Sequence, residues 1–491
     1  MAERIFDIQW FTWGEADDLY RWPKDSFFQA ENVEIRKNLS WAKLASAMKD
    51  TGRTIDGNIT CMVNLETLWV VSWWIVVCTD TGKVYLNGTL KTTLTSTWNL
   101  KVVVWIGVMT TSGDPWTQYV YYISKPVFSS YTDNTYIHRS TTNLATFIEG
   151  HKKFNSKITY DTTIVINNNW ILHFSAWNKI FTLDKFETVT EKLLLPNDEL
   201  ITWFTQFQNN FKIYSKIANS WVQYVWNGTD LLPEYRQVWE NQPILWVVND
   251  WAYDYAVLGF NENYSDLYLI SWTQKQELRV NLEANANSRV LDKYISIREW
   301  IVYISWGLSW QSTNRGVYTY GNYYPWTAKW LVQEYWFTTD YSFYWHCHST
   351  VFSYVIQHWA TTDKVYTIEH SNPPATNFYA SSWYIISPMY QGNLWEKKTF
   401  NKMEVGYSLE TWSSIKIYLR TSFAWTWQLA KTISDTTQKW CKIFQNDIKA
   451  LTLWNFYEYQ VKVELLPWTS SSNNVYTPTI SRLTTFLKTV E

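Results

Sequence analysis

His346, Cys347 and His348 stand side by side in WHCHST, the densest run of metal-type ligands in the 491 residues. On a strand, alternate side chains leave by opposite faces, so His346 and His348 share a face and Cys347 takes the other. Two imidazoles fall short of the three or four ligands that zinc needs, and only His358 and His370, downstream, could complete a set across a hairpin. The expectation is therefore a histidine pair on a strand, with no metal. Hydrolysis of a glycosidic bond would need two carboxyl groups about 5 to 9 Å apart. Asp17 with Asp18, Asp250 with Asp254, and Glu262 with Asp266 offer such pairs, but 44 acidic residues generate them by chance and no spacing selects one. Gly-x-Ser-x-Gly elbows, phosphate-cradling glycine loops and HExxH helices are missing from the sequence. No residue is assigned a catalytic, cofactor-binding or metal-binding role, and the chain is read as non-enzymatic. Aromatic side chains such as Tyr323, Tyr324 and Trp326 could stack on sugar faces, which keeps a glycan-binding alternative open.

Whatever these residues do, strands must position them. From about residue 58, short β-branched and aromatic runs alternate with Asn, Asp, Ser and Thr, and sustained helical periodicity is almost missing. KVVVWIGVMT with QYVYYIS, TIVINNNWILHF with KIFTLD, FKIYSK with VQYVW, AYDYAVLGF with DLYLIS, and EWIVYISW with GVYTYG each read as a hairpin. Their recurrence predicts four-stranded units and an all-β fold: a β-propeller of six or seven blades over 58–394. Tandem β-sandwiches are the competing arrangement. HRSTTNLATF, His138 to Phe147, resembles a degenerate Asp-box turn of sialidase-like propellers, with Ser140, Thr146 and Phe147 in place and Thr142 and Leu144 where Asp and Gly belong. That turn supports blades and implies no activity. Over 395–491 the strands lengthen and alternate cleanly, predicting a jelly-roll-like β-sandwich, whereas 1–57 reads as an N-terminal arm with a short hairpin.

Tryptophan stands where turns want glycine. The chain has 35 Trp and 15 Gly, against an ordinary glycine usage of about 7%. Trp170, Trp177, Trp226, Trp251, Trp272, Trp300, Trp306, Trp310, Trp412 and Trp468 follow or interrupt turn-type residues, and each reads naturally as glycine. Tight turns need positive φ, which an indole-bearing residue reaches only under strain. The expectation is that many of these positions are UGA codons that the source translates as glycine; a truly Trp-rich glycan binder is the alternative.

A net charge of −2 supplies no basic field for nucleic acid or an anionic membrane. Cys61, Cys78, Cys347 and Cys441 are dispersed, as reduced structural thiols would be. The start, MAERIFDIQWFTW, has no apolar core of a signal peptide, and apolar stretches such as LWVVSWWIVVC are of strand length. The sequence thus predicts synthesis in the cytoplasm without membrane insertion.

Both ends carry a further signal. FFQAENVEIRKNLSWAKLAS, with Trp41 taken as glycine, resembles the start of tailed-bacteriophage virion proteins, in which a short strand, a glycine turn and a second strand precede a β-propeller. YEYQVKVELLPWTSSSNNVYTPTISRLTTFL resembles the close of the same proteins: a strand over Tyr457 to Leu465, a Ser/Asn loop, then Thr477, Pro478 and Ile480. The resemblance implies a structural component of the tail or neck, located in the virion. It implies partners among other virion subunits and assembly as a homo-oligomer or ring, while the charge balance and the missing motifs lead to the expectation of no nucleic-acid partner and no cofactor. A receptor- or glycan-binding propeller at the tail tip, with a host-surface glycan as partner, is the alternative.

Overall fold

Alternating β-branched and aromatic residues can satisfy their backbone polar groups and bury their side chains together only by pairing strands. In a computed structural model of the chain, the described residues are 3–8, 29–31, 33–34, 42–44, 49–57, 59–67, 70–94, 98–108, 118–126, 135–141, 143–154, 165–168, 171–184, 186–207, 210–217, 220–240, 244–249, 254–259, 264–271, 274–283, 295–298, 301–306, 316–321, 330–336, 342–359, 362–370, 383–391, 397–422, 426–444, 456–469 and 475–489. Among them every regular element is a strand, so the protein is all-β.

Among the described residues, seven four-stranded antiparallel sheets form the larger part. The first holds Ile59–Thr67, Val70–Thr79, Lys83–Leu86 and Thr89–Thr93, and the second Trp98–Val108, Gln118–Pro126, Thr135–Thr141 and Phe147–Phe154. Val165–Asn168, Ile171–Ala176, Lys179–Leu183 and Val189–Leu194 make the third; Leu200–Phe207, Asn210–Ile217, Ser220–Trp226 and Tyr235–Glu240 make the fourth. The fifth comprises Ile244–Asn249, Asp254–Gly259, Tyr264–Ser271 and Gln274–Glu283, and the sixth Ile295–Arg298, Ile301–Trp306, Gly316–Gly321 and Trp330–Trp336. The seventh takes Ser342–His348, Phe352–Trp359 and Thr362–Glu369, and borrows its fourth strand, Lys49–Asp56, from the other end of the chain. All five hairpins expected from sequence are paired.

Each sheet touches the next, chiefly through its first strand, and the circuit closes where Ser342–His348 meets Ile59–Thr67. This ring is a β-propeller arrangement, and burial follows from it. A middle strand packs against a neighbouring sheet on both faces, so Ile171–Ala176 and Lys179–Leu183 are buried at nearly every position. Adjacent residues therefore serve different layers. Tyr122 joins Val76, Cys78 and Val120 between the first two sheets, whereas Tyr121 joins Phe174 and Phe181 between the second and third. Ile75 and Val77 turn the other way, onto Tyr354, Ile356 and Ile55 of the seventh sheet. Outer strands such as Thr89–Thr93 are largely exposed.

Two more sheets, of six strands each, enclose one apolar core that includes Trp383, Met403, Val405, Ile417, Val463 and Leu483. Here one face is buried and the other wet, and Ser414–Arg420 alternates strictly. The sequence places 1–57 in an arm and 58–394 in a propeller, but the pairing crosses both boundaries. Glu3–Ile8 and Ala42–Leu44 pair with Thr479–Thr489, and Gln29–Glu31 pairs with Trp383–Ile386. Trp383–Ile386 in turn pairs with Glu458–Leu466, because Trp383 and Ile385 find their apolar partners in the C-terminal core.

The tryptophans at turns divide. Trp177, the first loop residue of the Ile171–Ala176/Lys179–Leu183 hairpin, has φ 58°, and Trp412, in a Glu410-to-Ser413 turn, has φ 63°. Both are exposed. Trp226 corrects the glycine-turn expectation at its site: it ends a strand, is fully buried against Phe211, and donates Nε1–H to Asp230 O at 2.7 Å. The positive φ of that loop belongs to Gly228 instead. Trp306 and Trp468 lie in strands. Trp41, Trp170, Trp251, Trp272, Trp300 and Trp310 lie outside the described residues. Leu144 does adopt positive φ, 55°, where the Asp-box resemblance puts glycine, and its side chain is buried between the first and second sheets.

Candidate functional site

The histidine run lies on the innermost strand of the seventh sheet. Strand alternation sends Cys347 into the layer facing the first sheet, and His348 to the opposite face, toward the sixth sheet. There a continuous hydrogen-bonded chain forms. Ser296 Oγ meets His348 Nε2 at 2.8 Å, His348 Nδ1 meets Ser353 Oγ at 2.6 Å, and Ser353 Oγ meets His370 Nε2 at 2.5 Å. Ser353 is fully buried. Tyr303 of the sixth sheet lays its ring 4.7 Å from the His348 ring and 6.0 Å from that of His370. Backbone contacts tighten the same junction: Arg298 donates to Ser349 O and Thr350 O, and Asn64 Nδ2 donates to His348 O.

His370, which the sequence offered only as a residue that could complete a metal set across a hairpin, is linked to His348 through the Ser353 hydroxyl. The side chains of His346 and His358 lie outside the described residues, and among the described residues no cluster of metal ligands forms. A hydroxyl on each nitrogen of an imidazole has the spacing of nucleophile, base and orienting group. Here the third place is held by the Ser353 hydroxyl, which cannot neutralise an imidazolium as a carboxylate does. The chain orders tautomers and joins sheets.

A second polar cluster joins the second and third sheets. Glu187, at φ 59° in the loop before Val189–Leu194, is 6% exposed. Its carboxylate accepts from Tyr121 Oη at 3.0 Å and Arg139 Nη1 at 2.5 Å, and lies 2.9 Å from His151 Nε2. Burial alone would raise its pKa, but the Arg139 bond and the neighbouring His151 outweigh it and hold it below the usual carboxylate value. Burial lowers the His151 pKa despite the carboxylate beside it, so Arg139 is the charge partner at neutral pH. Arg139 also rests on the Tyr119 ring, 4.4 Å from its centroid. In the fourth sheet, buried Glu199 accepts from Ser215 Oγ at 2.7 Å and Tyr224 Oη at 2.5 Å.

Asp17, Asp18, Asp250, Glu262, Tyr323, Tyr324 and Trp326 lie outside the described residues, as do the side chains of Asp254 and Asp266. Sequence reasoning missed Ser296, Ser353, Glu187 and Arg139. The available signal was a lone polar residue inside an apolar strand, as Ser353 is in VFSYVIQ. Cys61, Cys78 and Cys347 are buried free thiols, and burial pushes Cys78 and Cys347 well up, away from reactive thiolate. Among the described residues no helix is long and apolar enough to cross a membrane.

No protein-family model matches the sequence, and no curated protein matches it. Solved structures with a similar shape include the N-terminal domain of Nup159 (10% identity, TM-score 0.40, covering 70% of this chain and 99% of that one). The Neurospora crassa Pan2 WD40 domain aligns at 7% identity and TM-score 0.42 over 67% of this chain and 97% of that one. The extracellular domain of the hybrid two-component system BT4673 from B. thetaiotaomicron aligns at 13% identity and TM-score 0.39, over 74% of this chain and 43% of that one.

Proposed function

We propose that this chain is a non-enzymatic structural component of a tailed-phage particle, in the tail or neck, that makes subunit contacts during virion assembly. The seven four-stranded sheets are its seven blades. The two six-stranded sheets are a β-sandwich built from both ends of the chain. One observation carries the reading: the two segments that resemble phage virion proteins, at opposite ends of the sequence, occupy the same pair of sheets. Val33–Glu34 and Ala42–Leu44 form the short hairpin expected within the first segment, and Ala42 pairs with Ile480 of the second. Gln29–Glu31 reaches Glu458–Leu466 through Trp383–Ile386. A disc closed by its own first strand and clamped by a two-ended sandwich is stiff, which suits a part that stacks with copies of itself or with other subunits.

The reading includes UGA decoded as glycine. Positive φ at Trp177 and Trp412 supports it, since those backbones sit where a glycine is unstrained. The second reading, a glycan-binding tail-tip protein, is favoured by one surface feature. The rings of exposed Trp412 and Trp468 lie 6.2 Å apart, and that of half-buried Tyr476 lies 5.4 Å from Trp468, forming an aromatic row on the sandwich. Gradient-purified particles digested for peptide mass spectrometry test both. The chain is expected in fixed stoichiometry with glycine at 177 and 412. Its presence in lysate but not in particles overturns the structural role, and tryptophan at 412 and 468 turns the choice toward glycan binding.

A further inference from the structure

We propose that Cys61 and Cys78 are a disulfide site: a small-molecule disulfide of the glutathione class oxidises the pair, and the bond formed staples the first two strands of the first sheet. Ile59–Thr67 and Val70–Thr79 pair antiparallel with Cys61 directly opposite Cys78. A bulge sets that register. Ile59 stands opposite Thr79, so without the extra residue Thr60 would face Cys78; instead Thr60 is set aside, and its hydroxyl donates to Cys78 O at 3.2 Å. Directly opposed residues of antiparallel strands have Cα atoms about 4.5 or 5.5 Å apart, according to their place in the ladder. Both separations lie within the ~4.4–6.8 Å that a disulfide spans. The two side chains also enter the same layer, with Val76, Val84 and Val120 between the first and second sheets. Both are thiols in this structure.

A third thiol makes the choice of partner specific. Cys347 is close enough for Cys61 to act on its titration, as Cys61 acts on that of Cys78, so nearness alone leaves two bonds open. The faces decide between them. Cys347 sits with Met62, Ile75 and Val77 in the layer between the seventh and first sheets, and the backbone of the first sheet separates it from the Cys61 side chain. Burial holds the Cys78 thiol protonated, so exchange waits for a local opening. The strand carrying Cys61 begins three residues after Lys49–Asp56, which completes the seventh sheet from across the ring, so fraying at that seam runs on into Cys61. One protein thiolate then attacks a sulfur of the oxidant, a mixed disulfide forms and a small thiol leaves. The second protein thiolate attacks the protein sulfur of the mixed disulfide, and a second small thiol leaves. The protein gives up two protons and two electrons, and the oxidant is reduced to two thiols.

Oxidised glutathione added to the full chain in urea below its unfolding midpoint tests this, followed by an acid quench, alkylation, and mass spectrometry of a chymotryptic digest without reductant. The expected product joins the peptides of Cys61 and Cys78 and leaves Cys347 alkylated. A Cys61–Cys347 link, or Cys61 and Cys78 both alkylated after prolonged exposure, overturns the proposal. The staple itself reads out as stability. The bond closes a loop of about 17 residues, which lowers the unfolding constant on the order of a hundredfold. The urea midpoint should therefore rise on oxidation, fall back on adding dithiothreitol, and stay still on oxidation of Cys78→Ser. A wild-type midpoint that does not rise overturns the staple. Should Cys78→Ser fail to fold, Cys347→Ser takes its place: it should keep the whole shift, and loss of the shift there overturns the pairing.

Discussion

Replacing Glu187 by Gln removes one charge from a site where three groups depend on it. Glu187 and Arg139 are 6% and 14% exposed, so neither is solvated well enough to stand alone. Breaking a buried pair by removing one partner costs about 3–5 kcal/mol. Two features reduce that here. The glutamine carbonyl still accepts from Tyr121 or Arg139, and the guanidinium keeps its place on the Tyr119 ring, a contact of ~1–2 kcal/mol when desolvated. A net loss of about 2–3 kcal/mol is expected, read as a lower urea midpoint with an unchanged slope. Backbone strain cannot account for it, since Gln inherits the same φ of 59°. Linkage supplies a second signature. The folded carboxyl titrates below its unfolded value, so its contribution is present above about pH 4.3 and is lost as pH falls through the folded pKa. The wild type should show that acid loss and Glu187→Gln should not. A stability change under about 0.5 kcal/mol, or identical acid profiles, would refute the claim that this cluster joins the second and third sheets.

Trp177→Gly and Trp412→Gly should each raise stability by ~1 kcal/mol, because they release left-handed strain at exposed positions. Trp226→Gly should lower it by more than about 3 kcal/mol through the cavity it leaves, and thermal melts of the three variants check the contrast. Asp363→Ala should cost about 1–3 kcal/mol by orphaning the Ile59 amide, 2.8 Å from the carboxylate in the seam between the seventh and first sheets. Asp363→Asn, which keeps an acceptor, should recover most of that in the same denaturant titration. A thiol reagent at pH 8 should modify Cys441 quickly in the native chain and reach Cys61, Cys78 and Cys347 only on unfolding.

The residues alone determine that this is a strand protein. Short β-branched and aromatic runs such as KIYSK and VQYVW bury their side chains as paired strands, and each adjacent pair closes a local hairpin whose register depends on a few residues. The difference between doubly buried and alternating strands is also written there, in ILHFSA against SIKIYLR. Locality ends at that point. The closure of the ring by Lys49–Asp56, and the weaving of Glu3–Ile8 and Gln29–Glu31 into sheets formed by the last hundred residues, pair segments whose patterns fit several edges equally well. Only the assembled cores choose among those edges. The serine–histidine cluster shows the same division. Strand alternation places His348 opposite Cys347, but nothing in WHCHST names Ser296 or Ser353 as its partners. Ser353 faces His348 as its cross-strand partner in one hairpin of the seventh sheet, whereas Ser296 arrives only because the sixth and seventh sheets pack face to face, where burial obliges each polar group to find a partner.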